Sequence, residues 1–448
     1  MNRFFTFLAL LLFSIGISAQ PQLGTHFMRN TYQASRTNPA LLPDDKIVIA
    51  LPNLYNHFEL TGPSFGDLIN TDGATPVFNL GNILNDLDDE NSFRNHATLE
   101  TIGISVGLGN LRLGLHSASH IGALVDYRKG LAELIWRGNA PFIGQTVDIG
   151  TNLQIAGYHE LGLTGSYKIK ALTVGIGLKY MTGVGDISTE NSDASLFTDP
   201  DIYQLTLNSD FRANTSSFLD FNGINDFETN FDLNDFGFGN MFSANSGFAL
   251  DLGVDIDLGN LKVAASIVDL GSINWTENVR NYTSSGSFEY DGLDFSGAIT
   301  GSDASFEGAL DTLQEVFEVV ETFNEYSTSL PQKLYVSAVY DLTDMWQLGA
   351  SYYNESYNGT SSNAISLGAQ ARLGKLFTVG GNYSIYNDNF ANIGLNGTAK
   401  IGPVQLVLAS DNVIGLFDLD NTKYTNFRLG LNLIFGSKKA DVMPVDDY

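Results

Sequence analysis

The side chains of this 448-residue chain best able to do chemistry are six histidines (His26, His57, His96, His116, His120 and His159) and several runs of carboxylates. The histidines show no His-Glu-x-x-His arrangement and no other spacing that would ring a zinc ion. His116 and His120 sit near serines at a strand end expected at the outer rim, where some barrel hydrolases keep a catalytic histidine. One such pair does not make a catalytic array. A G-x-S-x-G elbow and a phosphate-binding glycine loop are both missing, so the chain is not read as an enzyme. The chain has no cysteine, which excludes disulfides, thiolate metal sites, a cysteine nucleophile and lipid attachment through an N-terminal cysteine.

The runs Asp86-Leu87-Asp88-Asp89-Glu90-Asn91, Asp220-Phe221-Asn222-Gly223 and Asp232-Leu233-Asn234-Asp235 offer oxygen ligands for Ca²⁺. None fits the EF-hand register, such runs are more often solvated loop surface, and no cofactor is expected. Lys168, Lys179, Asp251, Asp255, Asp257, Arg372 and Arg428 fall between apolar positions and are expected to face an enclosed interior and pair across it. A ring of charge selecting a substrate is the alternative.

The elements that must position these groups are strands. Leu161, Leu163, Tyr167 and Ile169 alternate with Glu160, Thr164, Ser166 and Lys168. Leu172, Val174, Ile176 and Leu178 alternate with Thr173, Gly175, Gly177 and Lys179, and Phe427, Leu429, Leu431, Leu433 and Phe435 with Arg428, Gly430 and Asn432. A soluble sandwich also alternates. The strands here run about 10 to 12 residues, the span of a tilted membrane crossing. Aromatic residues gather near their ends (Tyr127, Trp136, Tyr180, Trp275, Tyr335, Trp346, Tyr352, Tyr353 and Phe435), as interface girdles do. An all-β, closed antiparallel transmembrane barrel is the better reading. Only 16% of residues are charged and the net charge is -27, which argues against disorder and against binding nucleic acid.

Tight turns join the strands at Leu108-Gly109-Asn110-Leu111, Ile169-Lys170-Ala171-Leu172, Leu258-Gly259-Asn260-Leu261, Leu373-Gly374-Lys375-Leu376 and Ile401-Gly402-Pro403-Val404. They alternate with long polar segments at 61–97, 184–246 and 277–330, so short turns should lie on the periplasmic side and long loops outside. Strand starts near 47, 98, 111, 158, 172, 248, 261, 331, 345, 362, 375, 391, 404 and 424 make fourteen strands. The regions 119–157 and 184–246 could each add a pair, which leaves 16 as the alternative.

Outside the wall, Arg3, the apolar run Phe4–Ile17 and Ser18-Ala19 read as a signal peptide over 1–19. Residues 20–46 carry no strand pattern and hold Asn38-Pro39-Ala40-Leu41-Leu42-Pro43, a conformationally restricted stretch placed as a plug before the barrel of 47–436. Residues 437–448 are expected to form a flexible periplasmic tail. A helix is expected over 303–326, with Phe306, Leu310, Leu313, Phe317, Val320 and Phe323 on one stripe, packed on neighbouring loops or serving as a lid or partner-docking element.

The signal peptide, the Asn-Pro-Ala-Leu motif ahead of the first strand and the Leu330-Pro331 that opens a later one resemble the FadL-type long-chain fatty-acid transporters, and still more the PorV/PorQ-type barrels of bacteria with type IX secretion. The resemblance implies a monomeric 14-stranded barrel in a Gram-negative outer membrane, with Asn38, Pro39 and Ala40 in a hatch inside it. A hydrophobic ligand would bind beside the hatch and leave sideways through a kink in the wall. Two functions follow as expectations: binding or transport of hydrophobic small molecules, or a non-transporting scaffold that docks envelope partners of a secretion or surface-assembly machine. An aqueous porin is a third, which a plug would abolish.

Overall fold

Period-two alternation in lipid leaves each strand only one way to satisfy its backbone, which is to pair on both edges until the sheet meets itself. The computed structural model shows that outcome. It describes residues 22–29, 31–64, 69–70, 77–78, 84–223, 226–229, 243–290, 319–374, 376–387, 389–418 and 421–436. The expected signal peptide over 1–19 and the expected tail over 437–448 lie outside these residues.

Fourteen strands form the wall. They are β1 (Ile47–Ala50 continued by Asn53–Leu60), β2 (Glu90–Leu108), β3 (Leu111–Arg128), β4 (Thr151–Ile169), β5 (Leu172–Thr198), β6 (Ser246–Asp257) and β7 (Leu261–Trp275). Then follow β8 (Tyr326–Ser329 continued by Gln332–Asp341), β9 (Trp346–Tyr357), β10 (Thr360–Leu373), β11 (Phe377–Tyr386), β12 (Asn389–Ile401), β13 (Val404–Ser410) and β14 (Tyr424–Phe435). All neighbours are antiparallel, and β1 closes the circle by pairing with both β14 (Ile47↔Phe435) and β2 (Ile49↔Ile104). The interruptions in β1 and β8 fall at Pro52 and Pro331, which have no N–H to give the ladder; Leu51 and Leu330 still bond Leu431 and Gly271 across them.

The expected faces hold. Leu163 is 55% exposed and Leu178 56%, while Thr164, Ser166 and Lys179 between them are buried. In β4 the outward apolar positions run from Leu161 to Ile169, enough for the ~25 Å apolar band of such a barrel. The turns expected from sequence close the same end of the barrel, with Gly109, Gly259, Gly374, Gly402 and Lys170 at positive φ. No described helix is long and apolar enough to cross a membrane.

Three expectations need correction. Trp275, Tyr335 and Tyr353 are not girdle residues; they are at most 3% exposed and pack inside the lumen. The regions 119–157 and 184–246 add no wall strands. β3 simply runs on to Arg128 before a helix at Lys129–Arg137, and Leu205–Ser216 pairs between the far end of β5 and Val279–Tyr290, building an extension beyond the wall whose outer edges carry the short strands Thr146–Asp148 and Val320–Thr322. The expected helix over 303–326 does not reach its end: Val320–Thr322 is a strand on the Val279–Tyr290 edge, with Thr283↔Val320 in register, and Phe323 is 66% exposed. The β-branched Val319 and Val320 meet an edge with free ladder positions, which favours extension over a helical turn. Phe306, Leu310, Leu313 and Phe317 lie outside the described residues.

Residues 22–46 enter the lumen at the short-turn end as α1 (Leu23–Phe27) and two 3₁₀ turns, Tyr32–Arg36 and Pro39–Leu41, and most of their side chains are buried. Lumen-facing glycines make the space. A Cβ on Gly175 would lie 2.3 Å from Pro39 and Ala40 backbone atoms, and one on Gly253 2.0 Å from Asn38 Oδ1. Gly175→Ala should therefore displace this segment at a cost of about 1–3 kcal/mol while leaving the barrel ladder intact. Limited proteolysis should cut 22–46 faster in the variant, with the heat-induced gel shift of the folded barrel unchanged.

Candidate functional site

The hatch is held at both ends by groups that would otherwise be buried and unsatisfied. At its start the Asp411 carboxylate accepts the backbone N–H groups of Leu23 (2.9 Å) and Gly24 (2.6 Å). In the middle, Gln33 and Asn432 exchange amide hydrogen bonds at 3.1 and 2.9 Å, and Arg29 is ion-paired with Asp255. At its end Asn38 caps Ala40 N–H (2.8 Å), and its Nδ2 donates to the carbonyls of Val254 (3.1 Å) on β6 and Ala265 (3.2 Å) on β7. Pro39 follows as the first residue of a 3₁₀ turn, where its missing N–H costs nothing. The Asn-Pro-Ala motif is thus a wall anchor, because its asparagine side chain binds backbone that the wall leaves available.

On the loop side of the hatch lies a cup with about 1250 Å³ of unfilled space, in part open to solvent. Its floor is Gln22 and Arg36, and its wall carries both charge and aromatic rings. Glu160 takes His116 Nε2 and His120 Nε2 (3.1 Å); Lys179 bridges Asp251 (2.9 Å) and Asp269 (2.5 Å); Lys333 adds to Asp269 (2.7 Å). Opposite, Arg94 pairs with Glu355 (2.6 Å), which also accepts the Tyr353 hydroxyl (2.8 Å). Arg36 lies between Glu100 (3.9 Å) and Glu160 (4.0 Å). Arg428 differs from the other cations. Its guanidinium lies over the Tyr55 ring (4.8 Å) and donates to Gln22 Oε1 (2.8 Å), its Nε has no partner, and no described carboxylate lies within 4.0 Å.

Of the interior charges expected from sequence, Lys179, Asp251 and Arg428 line the cup, and Asp255 holds the hatch. Lys168 and Asp257 (3.8 Å apart) and Arg372, paired with Asp341 (2.8 Å), sit at the short-turn rim and are well hydrated. His116 and His120 are not at a rim: β3 continues for eight residues past His120, which puts both in the cup wall. Sequence reasoning missed Arg36, Glu100, Glu160 as a hub, and Asp411. For Asp411 a signal existed, since β13 stops after only seven residues and an Asp-Asn pair follows. Among the described residues no group of three or more His, Asp or Glu could hold a metal ion. In the run 86–91, Asn91 bonds the Asp88 backbone and Glu90 pairs with Arg128, while 232–235 lies outside the described residues.

Fold and site together define a class: a 14-stranded transmembrane barrel whose lumen holds part of its own N-terminal segment, with a charged and aromatic cup above it. The chain belongs to the family described as "Family of unknown function (DUF5723)", whose model matches residues 39–411. No curated protein matches the sequence. Among solved structures, the Ralstonia pickettii toluene transporter TbuX is similar at 10% identity over 90% of this chain and 94% of that one, with a TM-score of 0.43. The Pseudomonas putida toluene transporter TodX matches at 9% identity over 91% and 95% (TM-score 0.41), and the translocator domain of the Neisseria meningitidis autotransporter NalP at 9% over 87% and 88% (TM-score 0.31). None of these likenesses is close enough to carry a ligand or a residue role across.

Two outcomes follow from the hatch geometry. Each buried hydrogen bond to Asp411 is worth about 1.5–3 kcal/mol, so Asp411→Ala combined with Asn38→Ala should turn an electrically silent barrel into one with intermittent conductance in planar bilayers. His26 is fully buried against Tyr335, neither ring nitrogen has a hydrogen-bond partner, and burial together with nearby Arg29 pushes its pKa down to about 3. The freed hatch would protonate near 6.5, so docking is fully stable above that pH and is lost progressively as pH falls from 6.5 toward 3, by up to about tenfold per unit. Protease sensitivity of the hatch should rise with acidity, and His26→Phe should flatten the dependence.

Proposed function

We propose that this protein is an outer-membrane barrel that binds an anionic amphiphile in the cup and passes it across the membrane when the hatch yields. The short-turn end with the hatch would then face the periplasm and the extension would stand outside. The observation that carries this reading is Arg428, a buried guanidinium without a carboxylate partner, in a cup whose other cations are all ion-paired. A carboxylate or phosphate head would supply the missing charge, and the faces of Tyr55, Tyr335 and Tyr353 around it suit an apolar body. A purely hydrocarbon ligand fits less well, because it would strip water from the polar wall without replacing its hydrogen bonds.

A second reading, a docking scaffold for envelope proteins, is favoured by the extension: β5 continues for 16 residues past Thr182, where its pairing with β6 ends, and carries Leu205–Ser216 and Val279–Tyr290 with it. Purified protein should bind pyrene-labelled dodecanoate, and Arg428→Gln should weaken binding by about 10–100-fold with little change for pyrene-dodecanol. Equal losses for acid and alcohol would remove the anion-binding role, and stoichiometric protein partners in native pull-downs without any ligand binding would favour the scaffold.

A further inference from the structure

The lining of the cup is balanced in charge before any ligand arrives. Arg36, Arg94, Lys179, Lys333 and Arg428 stand against Glu100, Glu160, Asp251, Asp269 and Glu355. The two signs are unevenly placed. On one side Arg94 pairs with Glu355 and Arg428 is left over. On the other, Glu100, Glu160, Asp251 and Asp269 share only Arg36, Lys179 and Lys333. Asp251 and Asp269 hold the lysines closely, so Glu160 has no lysine or arginine nearer than 4.0 Å. An anionic head that settles on Arg428 displaces water and adds a charge that the lining as a whole does not balance. Such a charge is costly in a low-dielectric interior unless a companion of opposite sign comes with it.

The wall has a place for that companion. In register across five neighbouring strands, Arg428 on β14 faces Tyr55 on β1, Tyr55 faces Thr98 on β2, Thr98 faces His120 on β3, and His120 faces Tyr158 on β4. The His120 ring stacks on Tyr158 at 4.7 Å. A carboxylate can only accept, and Glu160 lies 3.1 Å from His120 Nε2, so His120 keeps its proton there and leaves Nδ1 as an acceptor. Thr98 Oγ1 is 3.1 Å from that Nδ1 and 3.1 Å from His96 Nε2. The hydroxyl therefore donates to His120 and accepts from His96, which gives the chain one direction. A proton taken up at Nδ1 of the half-buried His96 releases the Nε2 proton to Thr98, and Thr98 passes its own to His120 Nδ1. His96 ends neutral in its other tautomer, and the charge rests on His120 beside Glu160. His57 on β1, Asp269 on β7 and Lys333 on β8 face His96; Tyr158 and Glu160 face His120, with His116, Lys179 and Arg36 beyond Glu160. We propose that the cup takes up a proton with each anionic head, held on His120 against Glu160, so that ligand and proton bind and leave as a neutral pair. The inference rests on the cup reading. For a carboxylate ligand the pair has the composition of the free acid.

A sulfonate cannot take the proton itself, so pyrene-dodecanesulfonate separates uptake by the protein from uptake by the ligand. The test is calorimetric titration of full-length protein in nanodiscs, between about pH 7 and 8.5, where the hatch stays docked. Buffers of different ionisation enthalpy should reveal uptake of about one proton per sulfonate bound. Because the bound state holds the extra proton, affinity should fall by up to about tenfold per unit as pH rises. Glu160→Gln removes the carboxylate beside which the proton rests, and the sulfonate then balances the cup by itself. Uptake should vanish in this variant, and binding at about pH 8.5 should be about tenfold tighter than in the wild type. His120→Gln should also lose uptake, but with weaker binding. The heat-induced gel shift restricts each comparison to folded barrel. Normal sulfonate binding with heats that do not depend on the buffer would overturn the proton site and spare the cup. Uptake that survives in His120→Gln, or weaker binding with uptake retained in Glu160→Gln, would also overturn it. A wild type that binds neither the sulfonate nor pyrene-dodecanoate would end both readings.

Discussion

The structure depends on one constraint: in hydrocarbon every backbone N–H and C=O must find a partner within the protein. Fourteen strands meet it by closing on themselves at Ile47↔Phe435, and the apolar alternation that faces lipid is the price of admission for each strand. Once the wall is closed, every second residue points into a space that water fills poorly. What occupies that space then decides what the barrel can do.

Here it is filled by the chain's own N-terminal segment, and the filling is specific. Asn38, Gln33, Arg29 and the first N–H groups of α1 each meet a named wall group, and glycines stand where a methyl group would collide with the hatch. A segment held this way is stable only while all its buried polar atoms are paired, so it can be released by unpairing a few of them. The cup above is polar for the same reason: charges that cannot reach water pair with one another, through Glu160, Asp269 and Glu355, leaving Arg428 as the exception.

The wall itself was legible because its signal is local. Alternation in β4, β5 and β14 and a positive-φ residue in each of the five tight turns, glycine in four and Lys170 in the fifth, are properties of short stretches; most strands start close to where the sequence places them, while β2 and β4 begin seven or eight residues earlier, at Glu90 and Thr151. Elements beyond the wall were less legible. An apolar stripe over 303–326 reads as helical, yet its end adds to a neighbouring strand, because the competing partner is far away in sequence. Trp275, Tyr335 and Tyr353 read as girdle residues because aromatics near strand ends suit an interface; their inward direction follows from the local pleat, with Leu23 packed in the cluster of Tyr335 and Tyr353 and wall residues such as Met181 and Ile273 packed around Trp275.

Sequence by itself determined that the chain forms strands, that they number fourteen or sixteen, which face meets lipid, and that residues before Ile47 do not join the sheet. These follow from period, turn chemistry and proline, which act over a few residues. Only the tertiary structure decided which charges meet, that Glu160 gathers two histidines, that Arg428 is left without a carboxylate, and that Asp411, just past the end of β13, holds the start of the hatch. Curvature sets those encounters: closing the sheet brings residues hundreds of positions apart to opposite sides of one narrow lumen, at distances no local pattern encodes.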